Sequence, residues 1–144
     1  MTADAAGPGF GGDDIRVGVD LASISAVERS ISTFGQRYVE RIFTPHEWES
    51  SNGAARKTAE SLAARFAAKE ATVKVLRPGD EVIPWVSIEV RTDSSGACEL
   101  LLSGAAAALA DSAGLQYFAL SMSHEGDMAV AVVVARGSSA RPPN

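Results

Sequence analysis

Residues 58–76, rich in Ala, Leu, Glu and Lys and ending just before Pro78-Gly79, constrain this chain most. Such a run predicts the longest helix of the molecule, stopped where Pro and Gly cannot continue it. Beyond it the period changes from helical to two. Residues 85–91 read as a strand, Asp93-Ser-Ser-Gly96 as a turn and residues 97–102 as the returning strand. Residues 104–113 predict an Ala-rich helix with Gly114 at its C' position. Residues 117–123 and 128–135, joined through His124-Glu-Gly-Asp127, read as a closing hairpin. Strand pairs that are hairpins rather than crossovers, mixed with helices, predict an α+β fold with a small antiparallel sheet packed with helices.

The first half fits that class. Ile15, Val17 and Val19 alternate with Arg16 and Gly18, a period of two that predicts a short strand ending at Asp20. Ser25-Ala-Val-Glu28 has capping-box spacing and predicts a helix, broken near Gly35 and resumed over residues 36–42. Thr44-Pro45-His46-Glu47 is a second start, with Thr44 as N-cap, Pro45 at the first helical position and Glu47 at the third. Residues 50–56, with Asn52-Gly53, read as a loop.

At 144 residues and 46% hydrophobic, the chain supplies one domain with an ample core but little room for a deep pocket, so a site shared between subunits is expected. Residues 1–14 and 137–144 hold loose Gly, Ser and Pro and are expected to be disordered tails around a domain over 15–136. The first of them has neither a basic n-region nor an apolar h-region, so it is not expected to act as a signal peptide. No run approaches the ~18 apolar residues of a membrane span. The formal charge of -5 argues against a nucleic-acid or anionic-membrane partner, though not against a small anion held by local cations. Cys98 is the only cysteine, so no internal disulfide forms, and a reducing, cytoplasmic setting is expected.

The long helix carries an anomaly. Its apolar stripe runs Leu62, Phe66, Val73, and Glu70 falls on the same face, which is costly for a carboxylate unless it is paired or binds a metal. By spacing alone, the favoured reading is that Glu70 and Lys74 form an i,i+4 surface pair and Arg65 and Lys69 a solvated basic ridge beside them. Asp20 is equally a strand-end turn former. Gly18 beside it would permit close approach of a ligand or another backbone. Taken together, two carboxylates and three cations would suit a magnesium-bound pyrophosphate.

Four segments in register resemble one family. Val17-Gly-Val-Asp20-Leu resembles the first motif of the holo-acyl-carrier-protein synthases, the small trimeric type of 4'-phosphopantetheinyl transferase. Arg65-Phe-Ala-Ala-Lys69-Glu70-Ala71, with Lys74 following, resembles their aromatic-x-x-Lys-Glu-Ala-x-x-Lys motif. Phe43-Thr-Pro-His-Glu47 resembles the family's helix start, and Leu120-Ser-Met-Ser-His124 with Met128-Ala-Val-Ala its closing hairpin.

The resemblance implies the 4'-phosphopantetheinyl transferase fold and a transfer of the 4'-phosphopantetheine arm of coenzyme A to a serine of an apo acyl carrier protein, releasing 3',5'-ADP. It implies Mg²⁺ as cofactor on Asp20 and Glu70, and a catalytic set of Glu70, Lys74 and Asp20. It places Arg65, Lys69, Lys74, Ser123 and His124 with coenzyme A. His124 would come from a neighbouring subunit of a homotrimer with interfacial sites. Glu70, or a metal-bound water that it orients, would take the serine proton. The implied setting is fatty-acid or polyketide biosynthesis.

Two positions depart from the family's pattern. Gly96-Ala97-Cys98 stands where a Gly-Lys/Arg-Pro corner is usual, which bears on the adenine end. Ala26 stands where an arginine often meets the carrier, leaving Arg29, Arg37 and Arg41 as candidates for docking an acidic carrier. The first departure is also what a non-catalytic module binding coenzyme A or a carrier would tolerate. The intact Asp20, Glu70 and Lys74 argue against that alternative.

Overall fold

In a computed structural model, the structure describes residues 15–137. The expected tails over 1–14 and 138–144 lie outside the described residues, while Gly137 closes the last strand rather than opening a tail.

The chain runs β1 (Ile15–Ser23), α1 (Ile24–Phe34), α2 (Gln36–Ile42), α3 (Pro45–Ser51) and α4 (Ala55–Leu76). A 3₁₀ turn at Trp85–Ser87 leads into β2 (Ile88–Thr92), β3 (Cys98–Leu102), α5 (Gly104–Ser112), β4 (Leu115–Glu125) and β5 (Met128–Gly137). This is the α+β class, with the strands in two antiparallel groups. One is a three-stranded sheet in the order β1-β5-β4, and the other is the β2-β3 hairpin. In the larger sheet Asp20 is paired with Ala131 and Ala131 with Met122.

Alternation decides which side of that sheet meets the long helix. Gly18 and Ala22 of β1, with Ala129, Ala131 and Val133 of β5, face inward and are buried. They pack against α4, whose own buried row Ala59, Ala63, Ala67, Ala71, Val75 repeats every fourth residue. Small residues on both surfaces let helix and sheet approach closely. The opposite face keeps Ile15, Val17, Val19, Leu21, Val132 and Val134 exposed. The same core continues into Ile24, Val27, Val39 and Phe43, between α4 and the first three helices.

Several elements differ from their sequence expectations for local reasons. Ser23 rather than Ser25 caps α1, its side chain accepting from Ala26 N at 3.2 Å. β1 therefore runs past Asp20 to Ser23, which pairs with Met128. Ser25 instead gives its amide and hydroxyl to Asp127 of the β4–β5 turn. The Thr44 capping box forms as expected, with Glu47 returning to the Thr44 amide at 2.9 Å. α4 begins at Ala55, earlier than expected, because α3 continues through Ser51 and shortens the loop. Trp85–Ser87 is a 3₁₀ turn rather than strand, closed by Ser87 N on Pro84 O at 3.0 Å.

Candidate functional site

Asp20 projects from β1 on the side facing α4, and its Oδ1 accepts from the Leu21 amide at 2.8 Å. Glu70, on α4, lies within hydrogen-bond reach of it. Lys74, one turn further on, donates to Val19 O at 2.9 Å and holds its Nζ 3.7 Å from Asp20 Oδ2. Two carboxylates and an ammonium thus converge where β1 crosses the helix.

Glu70 is not on the deepest face of α4. With Phe66 and Val73 it sits half-buried at the helix edge; of the expected stripe only Leu62 is fully buried, and the small-residue row faces the sheet. Partial burial, then the hydrogen bond and negative charge of Asp20, push the Glu70 carboxyl up to about 7, with Lys74 opposing. The acid opens onto a groove of about 350 Å³ lined by Ala22, Ala26, Ser30, Tyr38, Ile42 and Phe66. Tyr38 and Ile42 also line a larger groove of about 1030 Å³, which carries Phe34, Arg37, Arg41 and Trp85. Sequence reasoning missed Ser30, Tyr38 and Phe34 as wall residues. Phe34 and Tyr38 are four apart, but the Gly35 break between them hides the common face.

Lys69 requires a correction. It is neither on a basic ridge nor free to meet phosphate: its side chain is fully buried and paired with Glu47 at 2.7 Å. The same Nζ donates to the Trp85 and Ile88 carbonyls, which uses all three of its donors. Arg65 is buried too. Its fork is spent on Ser61 and on Thr92 Oγ1, leaving only Nε without a partner. Burial lowers both cations' pKa, with the nearby Glu47 acting in the opposite sense. The ridge fails because α4 is covered on that side by α3 and β2.

His124 faces α4 at its other end, 3.9 Å from Glu60. Glu60 and Glu70 are ten residues apart, about 15 Å along the axis, so one subunit does not bring His124 to the carboxylate pair. Ser123 alternates onto the opposite, open face of the sheet, paired with Val130. Arg37 and Arg41 share the larger groove, whereas Arg29 stands apart on the exposed side of α1. The Gly96-Ala97-Cys98 corner is a tight turn in which Asp93 Oδ1 accepts the Ser95 and Ala97 amides. Among the described residues, no group of three or more His, Cys, Asp or Glu could hold a metal.

A model of the 4'-phosphopantetheinyl transferase superfamily matches residues 16–133. Over 127 residues the chain is 40% identical to a holo-[acyl-carrier-protein] synthase of Herpetosiphon aurantiacus, covering 83% of this chain and 97% of that one. It is 42% identical over 118 residues to that of Geotalea daltonii, covering 81% and 94%. A solved ACPS-CoA complex from Chronobacterium ammoniagenes matches with a TM-score of 0.73 at 34% identity, over 86% of this chain and 98% of that one. Sequence and backbone agree over nearly all the described residues, and on that ground the chain belongs to the 4'-phosphopantetheinyl transferase superfamily, with the holo-[acyl-carrier-protein] synthases as its relatives.

Proposed function

We propose that this protein transfers the 4'-phosphopantetheine arm of coenzyme A to a serine of an apo acyl carrier protein and releases 3',5'-ADP. The observation that carries the reading is the facing pair Asp20 and Glu70 with Lys74 beside it. Coenzyme A appears in the solved complex of a relative 34% identical to this chain.

The donor set fits Mg²⁺. Two hard carboxylates face each other, and partial burial, then the neighbouring Asp20, holds the Glu70 proton to about 7, so a bound cation would be favoured there. Magnesium uses one or two protein carboxylates and completes its shell with water and phosphate oxygens. Asp20 and Glu70 would hold it, and once bound it supplies charge neutralisation to a pyrophosphate. The remaining work falls to the chain's own groups. The Lys74 ammonium, anchored on the Val19 carbonyl yet still exposed, faces the phosphates and stabilises charge on the departing 3',5'-ADP. Glu70 takes the proton of the serine hydroxyl as its oxygen bonds to the β-phosphorus and the bridging pyrophosphate P–O bond breaks. The wall of Ala26, Tyr38, Ile42 and Phe66 lines the groove beside the acid and partly desolvates it.

The same reading accounts for the rest of the surface. Arg37 and Arg41 lie one turn apart in the adjoining groove and suit an acidic carrier helix, with Arg29 as a further candidate. The exposed apolar sheet face of Ile15, Val17, Val19, Leu21, Val132 and Val134 is a surface to be covered by association. A homotrimer would cover it and bring His124, with Ser123, from one subunit to a neighbour's coenzyme A. Arg65, whose unpartnered Nε is buried within the single subunit, would serve the nucleotide end only on being uncovered when coenzyme A binds. Fatty-acid or polyketide biosynthesis in the cytoplasm is the setting proposed.

The deciding experiment incubates a panel of apo carriers with the protein, coenzyme A and Mg²⁺ and follows intact mass. A gain of one phosphopantetheine arm on any carrier supports the reading, and no gain across the panel overturns it.

A further inference from the structure

We propose that the buried Lys69–Glu47 pair sets the rotation of α4 and so aims Glu70 at Asp20, which makes Lys69 and Glu47 positioning residues for the metal pair. This rests on the magnesium reading above.

The sheet-facing row of α4, Ala59, Ala63, Ala67 and Ala71, presents only methyl groups before Val75 and interlocks weakly with the strands, the larger Leu62 and Leu76 being buried elsewhere on the helix. Rotation of the helix about its axis therefore needs another constraint. Lys69 supplies one. Its side chain and that of Glu47 are 0% exposed, with Nζ 2.7 Å from Oε1. Glu47 Oε1 also accepts the Thr44 amide at 2.9 Å, and Oε2 accepts the Val90 amide at 3.0 Å. Lys69 adds the Trp85 and Ile88 carbonyls. One pair thus bolts α4 to the start of α3 and to β2.

Desolvation offsets much of the attraction in such a pair, so stability is a poor reason for its presence, whereas a fixed register is a good one. Adjacent residues on a helix diverge by about 100°. With Lys69 held toward α3 and β2, Glu70 is turned toward β1, where Asp20 stands. On that other flank, Lys74 on the Val19 carbonyl holds the helix to the strand. Neither tie alone sets both rotation and distance.

The test uses two variants, Lys69→Met combined with Glu47→Gln, and Glu47→Asp, which keeps the charge but shortens the reach. Folding is followed by circular dichroism and melting. Mn²⁺ binding to the protein without coenzyme A is titrated by electron paramagnetic resonance, and kcat and carrier KM are measured alongside. We expect folded variants to bind Mn²⁺ at least fivefold more weakly and to lose at least tenfold in kcat, with carrier KM within twofold of wild type. Glu47→Asp carries the test if the double variant fails to fold. A folded variant with wild-type Mn²⁺ affinity overturns the positioning role. Wild-type protein that binds no Mn²⁺, or binds it equally after Asp20→Ala, overturns the magnesium reading and this inference with it.

Discussion

Gly18 of β1 and Ala71 of α4 meet backbone to backbone: a Cβ on Gly18 would stand 2.2 Å from the Ala71 carbonyl oxygen. Its place in β1 needs no unusual dihedral, so glycine is required here for space alone. Asp20 lies two residues on, on the same face of the strand, and Glu70 directly precedes Ala71. The close approach of the two backbones is thus what brings the two carboxylates together. Gly18→Ala should force strand and helix apart, at an overpacking cost of about 1–3 kcal/mol. A melting temperature lower by several degrees, with reduced transfer by the folded protein, is the expected result. An unchanged melting curve would contradict it.

Removing either carboxylate tests the site itself. Asp20→Ala and Glu70→Ala should each lower transfer by about 100-fold or more, the scale of losing a charge-stabilising group, while leaving the circular dichroism spectrum intact. Chelation with EDTA should do the same to wild type. Carrier modification that survives any of these treatments would remove the pair from the mechanism.

Asp127 offers a pH dependence with a defined sign. It accepts from the Ser25 hydroxyl at 2.6 Å, the Ser25 amide at 2.9 Å, Ser23 Oγ at 3.1 Å and Arg56 at 3.1 Å. These bonds, that from the Ser25 hydroxyl foremost, hold its carboxyl down to about 2. A depressed acid stabilises the fold fully above its ordinary value near 3.8, and that contribution disappears as pH falls through about 2. Asp127→Ala should therefore melt below wild type at pH 7, and the two curves should converge between pH 4 and 2. A constant difference across that range would refute the assignment.

His124 predicts complementation. If it serves a neighbour's site, mixing His124→Ala with Glu70→Ala protein under conditions of subunit exchange should restore part of the activity. Each inactive parent lacks a different half of the interfacial site. A fully active monomer by light scattering would end this idea.

Arg37 and Arg41 predict where the carrier lands. Arg37→Glu with Arg41→Glu should raise carrier KM at least tenfold and leave coenzyme A KM nearly unchanged. Added salt should weaken wild-type carrier recognition in the same direction. Loss of coenzyme A affinity instead would assign the arginines to the nucleotide.

Much of this molecule is legible before folding. The change of period after Leu76, the Thr44 capping box and the Pro78-Gly79 stop are local signals, and local hydrogen bonding obeys them. Asp20, Glu70 and Lys74 were legible as a set because their spacing matches known motifs, and the structure brings them together. The start of α1 was misplaced by two residues because Asp127, remote in sequence, binds the Ser25 amide and leaves Ser23 as the cap. The wall formed by Phe34 and Tyr38 was hidden because its face is assembled across a helix break.

The class of the fold, the order of its elements and, through motif resemblance, the candidate pair Asp20 and Glu70 were thus readable from the chain alone. Each depends on neighbours in the chain or on short patterns. Only the tertiary structure decided which cations remain available to a ligand. Lys69 and Lys74 are both lysines on one helix, five positions apart. One is sealed against Glu47 by α3 and β2, while the other stays exposed at the edge of β1. Five positions turn a helix by about 140°, and which of the two directions leads into protein depends on elements distant in the chain. No local pattern encodes that.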